Sequence, residues 1–338
     1  MMTFFAGLPA MAQRYRPITS ALVKAAIIKD GAVLWEERPD PQLGPDELLL
    51  RVEAAGINGA DLLQRAGHYP PPAGVPADMP GLECAGVVEA VGERVRGFRP
   101  GERAMGLLAG AGQAELTTVH ERLALRVPDG VGIVEAGGFP EVFCTAHDAL
   151  FSQAALAMGE RLLVTGAAGG VGMAAVQLGV AAGATVVASA RDPELRARLG
   201  ALGATCAGPA EALALGPFDV VLELVAGAGV GAALGALAPS GRVVVIGTGA
   251  GALAEVDLRT LMGKRAVLRG STLRNRSLED KALVVRQVER HVIPLVASGR
   301  VRVAVEAVFP FERAQEAYER FAAGKKFGKI VLARSERP

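Results

Sequence analysis

The sequence predicts an α/β protein built from a strand-rich, loop-rich domain and a doubly wound parallel sheet. Three observations lead to that reading. A short apolar strand, Leu162-Leu163-Val164, runs directly into Thr165-Gly166-Ala167-Ala168-Gly169-Gly170-Val171-Gly172 and then into a helical pattern over 173–182. After Phe139 the chain alternates apolar strand segments with helical ones, the rhythm of a parallel sheet with right-handed crossovers. Before Phe139 it is instead a succession of short strands broken by turn signals.

Taken in order, 23–28 and 33–35 read as strands around a turn at Gly31, and 39–45 is an irregular, proline-rich connector. Strands follow at 48–54, 85–91, 103–105, 114–119 and 124–127, the last leading to Pro128-Asp129-Gly130. The parallel sheet is expected to use 161–164, 185–188, 218–222, 241–246 and 266–270. A single amphipathic helix is expected over 278–297 and strands over 301–308 and 329–332, with the chain returning to the first domain. The predicted division is 21–141 with 285–338 for one domain and 142–284 for the other. Residues 1–20 are read as a disordered tail, or as an extension from a start codon placed too early.

The glycine turn identifies a ligand class. Gly166, Gly169 and Gly172 let the backbone turn, let it approach a pyrophosphate, and let the new helix lie close to its strand with its N–H-rich end toward the phosphates. Gly183 ends the helix and Thr185-Val186-Val187-Ala188 begins the next strand, which is the context a dinucleotide-binding turn requires.

Bulk composition excludes other classes. With 338 residues the chain has room for two domains. A net charge of +1 without a basic run gives no footprint for nucleic acid or an anionic membrane. The 51% hydrophobic content comes largely from Ala and Val in interrupted segments, with no apolar span of membrane length. Cys84, Cys144 and Cys206 are scattered and odd in number, which fits reduced thiols in the cytoplasm.

Several motifs together resemble a known family. They are A-G-I-N-G-A-D-L-L-Q-R-A-G-H-Y-P-P-P over 55–72, P-G-L-E over 80–83, G-V-V over 86–88, P-E-V-F-C-T-A over 140–146, the glycine turn, G-S-T-L-R-N-R-S over 270–277 and G-K-I-V-L over 328–332. In that order, over nearly everything from 23 to 332, the chain resembles the zinc-independent quinone oxidoreductases of the medium-chain dehydrogenase/reductase superfamily, in particular the p53-inducible quinone oxidoreductase-like branch. The resemblance implies a GroES-like domain completed by the carboxy-terminal strands, a Rossmann domain between them, and a cleft where nicotinamide meets substrate. It also aligns the three catalytic zinc ligands of related alcohol dehydrogenases with Asn58, Leu82 and Glu141. An amide, an alkyl group and a carboxylate do not make a catalytic zinc site, so no zinc is expected. Without a Lewis acid, the acceptor should already be electron-poor: a quinone or a conjugated enone or enal.

Hydride transfer asks the protein to position the cofactor against the acceptor and to stabilise developing negative charge. Asn58, on the loop after a strand, is a candidate for orienting the nicotinamide ribose or the acceptor oxygen; followed by Gly59, it is also ordinary turn chemistry. Tyr69 could donate a phenolic hydrogen bond, line a slot for a flat quinone, or be a loop tyrosine pinned by Pro70 to Pro72. The resemblance implies cofactor contacts at Thr145, Phe327 and Lys329, beside Gly166, Ala168, Gly169, Gly170, Val171 and Gly172 of the turn. Gly247 and Thr248 follow a strand at the place where ribose contacts belong. Asp61 and Arg65, four apart, are expected to pair along one helical face. His147 and Cys144 are read as packing residues.

Cofactor choice is read after the second strand of the parallel sheet. Ser189-Ala190-Arg191 stands where an NAD site places an acid, which favours NADPH with Arg191 on the 2′-phosphate and Ser189 assisting. Asp192 and Glu194 oppose this by repelling a phosphate. The expected function is NADPH-dependent quinone reduction. The alternatives are reduction of an enal, enone or enoyl-thioester double bond, or a non-enzymatic dinucleotide- or RNA-binding role. A homodimer is expected through the apolar edge at 266–270.

Overall fold

The computed structural model describes residues 22–335; the predicted tail over 1–20 lies outside them. β1 (Leu22–Lys29) and β2 (Ala32–Pro39) form an antiparallel hairpin whose two-residue turn, Asp30 and Gly31, takes φ of 50° and 78°. Two positive φ values match the turn twist to the strand twist.

A seven-stranded sheet follows, containing β3 (Glu47–Ile57), β4 (Glu83–Val91), β5 (Arg103–Leu107), β6 (Leu116–His120) and β7 (Ala124–Arg126). The second sheet holds β8 (Arg161–Val164), β9 (Thr185–Ser189), β10 (Thr205–Ala207), β11 (Phe218–Glu223), β12 (Leu237–Val245) and β13 (Val267–Gly270). The chain then re-enters the first sheet through β14 (Val305–Pro310) and β15 (Lys329–Ala333), giving the order β14-β15-β3-β4-β5-β7, with β6 paired to β3.

The second sheet is wholly parallel, in the order β10-β9-β8-β11-β12-β13. This is the doubly wound arrangement, with its reversal of strand order between β8 and β11, where such folds bind ligands beyond the carboxyl ends of their strands. Leu162, Leu163 and Val164 are fully buried, as a central strand covered on both faces requires. The buried cluster around Leu162 and Val164 continues to Leu48, Ile57 and Ile330 of the first sheet, so the two sheets share one core.

Two expectations change and one strand is added. The helix over 278–297 is two helices, Leu278–His291 and Ile293–Ala297. Pro294 has no N–H to continue the first helix and instead serves in the opening turn of the second. The strand expected from 301 begins only at Val305. And β10, three residues long, has no counterpart in the sequence reading.

Candidate active site at the domain junction

The glycine turn forms as its spacing requires. Gly166 has φ of 58°, and the helix Gly170–Ala181 starts from Gly169. A Cβ on Gly172 would lie 2.6 Å from Ala167 Cα, so helix and turn are in contact through backbone alone. A Cβ on Gly169 would meet only Gly166 O, at 3.5 Å, and would otherwise point into open space. Behind the turn, the buried Glu223 accepts from Thr165 Oγ1 at 2.7 Å and from the N–H groups of Val225 and Ala226 at 2.8 Å. Gly247 packs against the same segment, where a Cβ would sit 2.3 Å from Leu224 O, and Thr248 beside it is exposed.

At the other end of the turn, Ser189 closes β9 and is buried, while Arg191 is exposed. Asp192 directs Oδ1 to Glu194 N at 2.9 Å and caps the next helix, so that oxygen is engaged locally. Arg196, a residue the sequence reading passed over, donates to Ala190 O at 3.0 Å and Arg191 O at 2.9 Å, holding the segment that carries Arg191. Its helical position three residues after Pro193 was the available signal.

At the carboxyl end of β3 lies a buried polar cluster. Lys329 Nζ donates to Ile57 O at 2.8 Å and Asn58 Oδ1 at 2.6 Å and pairs with Glu83 Oε1 at 2.6 Å. Asn58 Nδ2 donates to the same Glu83 oxygen at 2.9 Å, and the other Glu83 oxygen accepts from Glu141 N at 2.9 Å. The Lys329 ammonium thus has three acceptors for its three protons and is 2% exposed. It is turned into this cluster, with its stem under Gly170, rather than out to a phosphate.

Glu141 is partly exposed at the start of the helix Pro140–His147. Burial of its carboxyl, reinforced by the nearby Glu83 charge, pushes its pKa up to about 8. It therefore holds a proton at neutral pH. Asp61 is fully buried and accepts from Asn58 N at 2.8 Å and Gly81 N at 3.0 Å; burial outweighs these bonds and raises its pKa to about 6. The expected pairing of Asp61 with Arg65 does not form. Asp61 turns inward to cap its own helix, and Arg65 lies over the Tyr318 ring at 5.6 Å.

Thr145 is one turn along from Glu141, and its Oγ1 is buried without a hydrogen-bond partner among the described residues. A buried hydroxyl in that state calls for a ligand or solvent partner. Together with the open Gly169, this shows a turn and a neighbouring helix that fit a dinucleotide.

Tyr69 is held from the second domain at both ends. Its hydroxyl lies 2.9 Å from Thr272 Oγ1, its carbonyl accepts from Arg274 Nη1 at 2.9 Å, and the Arg274 guanidinium lies 5.1 Å from its ring centre. Arg274, itself buried, also donates to Ala109 O and Gln64 Oε1. Phe327 is buried with Arg198 stacked at 4.0 Å, so its ring packs on the second domain. His147 is buried, its Nε2 3.1 Å from His291 Nδ1.

Comparison with known proteins places this geometry. Residues 44–154 match the alcohol dehydrogenase GroES-like domain and 183–332 the zinc-binding dehydrogenase domain. The synaptic vesicle membrane protein VAT-1 homolog of Rattus norvegicus is 32% identical over 327 residues, covering 89% of this chain and 80% of that protein. The chain belongs to the medium-chain dehydrogenase/reductase superfamily. That superfamily is one of oxidoreductases that use NAD(P)H.

Erythronolide synthase EryA2 of Saccharopolyspora erythraea is 34% identical over 335 residues, which is 96% of this chain and 9% of the synthase, so the chain spans about a tenth of that relative. The crystal structure of CurK enoyl reductase superposes with a TM-score of 0.81 at 26% identity, covering 93% of this chain and all of that one. Among the described residues there is no cluster of three or more His, Cys, Asp or Glu able to hold a metal ion, and no helix long and apolar enough to cross a membrane.

Proposed function

We propose that this superfamily member is an NADPH-dependent reductase of conjugated carbonyl acceptors, quinones first, that works without zinc. The observation that supports it most is the donor set at the positions aligned with the metal ligands of related dehydrogenases. Asn58 is bonded to an ammonium and a carboxylate, Leu82 has no ligating atom, and Glu141 holds a proton at neutral pH. Such a set polarises a carbonyl by hydrogen bonding and offers a divalent cation no firm seat.

The reduced nicotinamide supplies a hydride when bound. Gly166, Ala168, Gly169, Gly170, Val171 and Gly172 would hold its pyrophosphate, Gly247 and Thr248 a ribose, Thr145 the carboxamide, and Arg191 with Ser189 the 2′-phosphate. Asn58 donates to the acceptor oxygen as negative charge develops there, and Tyr69 walls the acceptor. The Glu141 carboxyl holds the proton that neutralises the reduced acceptor.

A second reading, reduction of an enone or enoyl-thioester double bond, is favoured by the likeness to CurK enoyl reductase and to polyketide synthases. Steady-state NADPH oxidation with a para-quinone and with a 2-enoyl thioester separates the two. A quinone kcat/KM at least tenfold above that for the thioester supports the first, and the reverse order replaces it with the second.

We also propose a homodimer formed by pairing β13 with its copy. Val267 and Leu268 on this sheet edge are 44% and 38% exposed, and Leu258 and Met262 nearby are more so. A bare apolar edge of this kind is an aggregation hazard unless paired. A cytoplasmic setting accords with Cys84, Cys144 and Cys206 all being free thiols.

A further inference from the structure

The polarity of Asn58 is set by its neighbours. A side-chain amide has one acceptor oxygen and two N–H donors. Here Oδ1 faces the Lys329 ammonium at 2.6 Å and Nδ2 faces the Glu83 carboxylate at 2.9 Å. The flipped amide would set NH2 against an ammonium and a carbonyl against a carboxylate, two repulsive contacts in a site where Lys329 and Glu83 are 2% and 0% exposed. One Nδ2 proton goes to Glu83, and the other has no partner among the described residues. Asn58 can therefore offer the cleft a donor and nothing else. An ammonium on the carbonyl end draws electron density from the amide and strengthens that donor, with little water to screen it.

The same strand also reaches the cofactor turn. Gly328 N donates to Ala168 O at 2.8 Å, and Gly328 bridges Gly169, while the next residue is Lys329. One dipeptide thus ties both the dinucleotide turn and the Asn58 amide. Gly328 has φ of 90°, and a Cβ there would meet Ala304 O at 2.2 Å, so only glycine fits at the position that joins the turn to Lys329.

We infer that Lys329 is a positioning residue for the reduction: it holds Asn58 as a one-directional hydrogen-bond donor to the acceptor oxygen, in register with the dinucleotide turn. This rests on the reading above in which Asn58 contacts the acceptor. The chain has two asparagines, Asn58 and Asn275, so the full-length protein labelled with ¹⁵N-asparagine gives two side-chain amide signals.

The Asn58 pair should show widely separated proton shifts in the wild type, and its free proton should move on addition of NADP⁺ with hydroquinone. In the neutral double variant Lys329→Met with Glu83→Gln, that separation should collapse. Its kcat should fall about tenfold while the NADPH Kd stays within about twofold, and adding Asn58→Ala should lower kcat no further. An unchanged Asn58 signal and kcat in the double variant, with Asn58→Ala still impaired, overturns the inference and leaves the acceptor reading intact. A wild-type kcat in Asn58→Ala overturns that reading, and the inference with it. A weakened NADPH Kd at constant kcat makes Lys329 a cofactor residue and overturns the inference. Asn58→Asp supplies the test if the double variant does not fold. At a pH where its carboxyl is ionised it presents only acceptors, so its kcat there should fall at least as far as that of Asn58→Ala, and wild-type turnover under that condition would refute the assigned polarity.

Discussion

Replacing Gly172 by alanine separates the packing role of the glycine turn from its ligand role. The added Cβ would lie 2.6 Å from Ala167 Cα and 2.7 Å from Ala167 C and O, all backbone atoms that no rotamer change can move aside. Restoring an ordinary contact of 3.4 Å means withdrawing the helix by about 0.8 Å. Overpacking of this kind destabilises by roughly 1–3 kcal/mol, and the gain in helix propensity from Gly to Ala offsets about 1 kcal/mol of it. The fold therefore survives with a small loss.

Binding should suffer more. A shift of that size stretches an N–H···O contact of about 2.9 Å beyond hydrogen-bonding range. Losing one bond to a charged phosphate, about 1.5–3 kcal/mol, raises Kd on the order of 10- to 100-fold. NADPH fluorescence titration beside thermal unfolding measures both effects. Gly169→Ala, whose Cβ meets only Gly166 O at 3.5 Å, is the stability control. The reasoning is refuted if Gly172→Ala binds NADPH within twofold of the wild type.

Four further outcomes are expected. Arg191→Ala should weaken NADPH by about 10- to 100-fold, the worth of a charged phosphate contact, and leave NADH unchanged; equal losses for both cofactors would remove Arg191 from the 2′-phosphate. Burial, aided by the nearby His291, lowers the His147 pKa to about 4 from 6.5, so the unfolded chain takes up that proton first as pH falls. His147 thus contributes stability that is present above pH 6.5 and lost between 6.5 and 4, and His147→Phe should show a shallower fall in Tm across that window. With its pKa at about 8 in the free protein, the Glu141 carboxyl should impose a decline in kcat/KM as pH rises through 8; Glu141→Gln should be slower at pH 7 and lack that limb, and an unchanged profile would exclude it as the proton source. Val267→Lys on β13 should convert the dimer to a monomer in light scattering behind size exclusion, and a wild type already monomeric at micromolar concentration would contradict the proposed interface.

What was legible in the sequence followed from local patterns. β8, the glycine turn and the start of β9 are adjacent in the chain, so one stretch of about thirty residues specifies strand, turn, helix and strand together. Thr205–Ala207, between Gly203 and Gly208, is too short to show a period, and its strand character comes from pairing with β9. Pro294 divides an amphipathic pattern that continues on both sides of it, so periodicity alone runs the two helices together. The long-range polar contacts were beyond reach. Lys329 and Asn58 are 271 residues apart, and Arg274 crosses from one domain to hold Gln64 and Tyr69 in the other. The motifs at 55–72, 270–277 and 328–332 marked these residues, but only the fold shows that Lys329 turns inward and that Tyr69 is gripped from the far side of the cleft.

The central claim is conjugated-carbonyl reduction with NADPH as the donor, and stopped-flow oxidation of NADPH and NADH against an ortho-quinone, a para-quinone and a 2-enal tests it most directly. The account predicts fastest turnover with NADPH and a quinone. Turnover confined to the enal would make the protein a double-bond reductase, and no oxidation of either cofactor by any of the three acceptors would contradict the account.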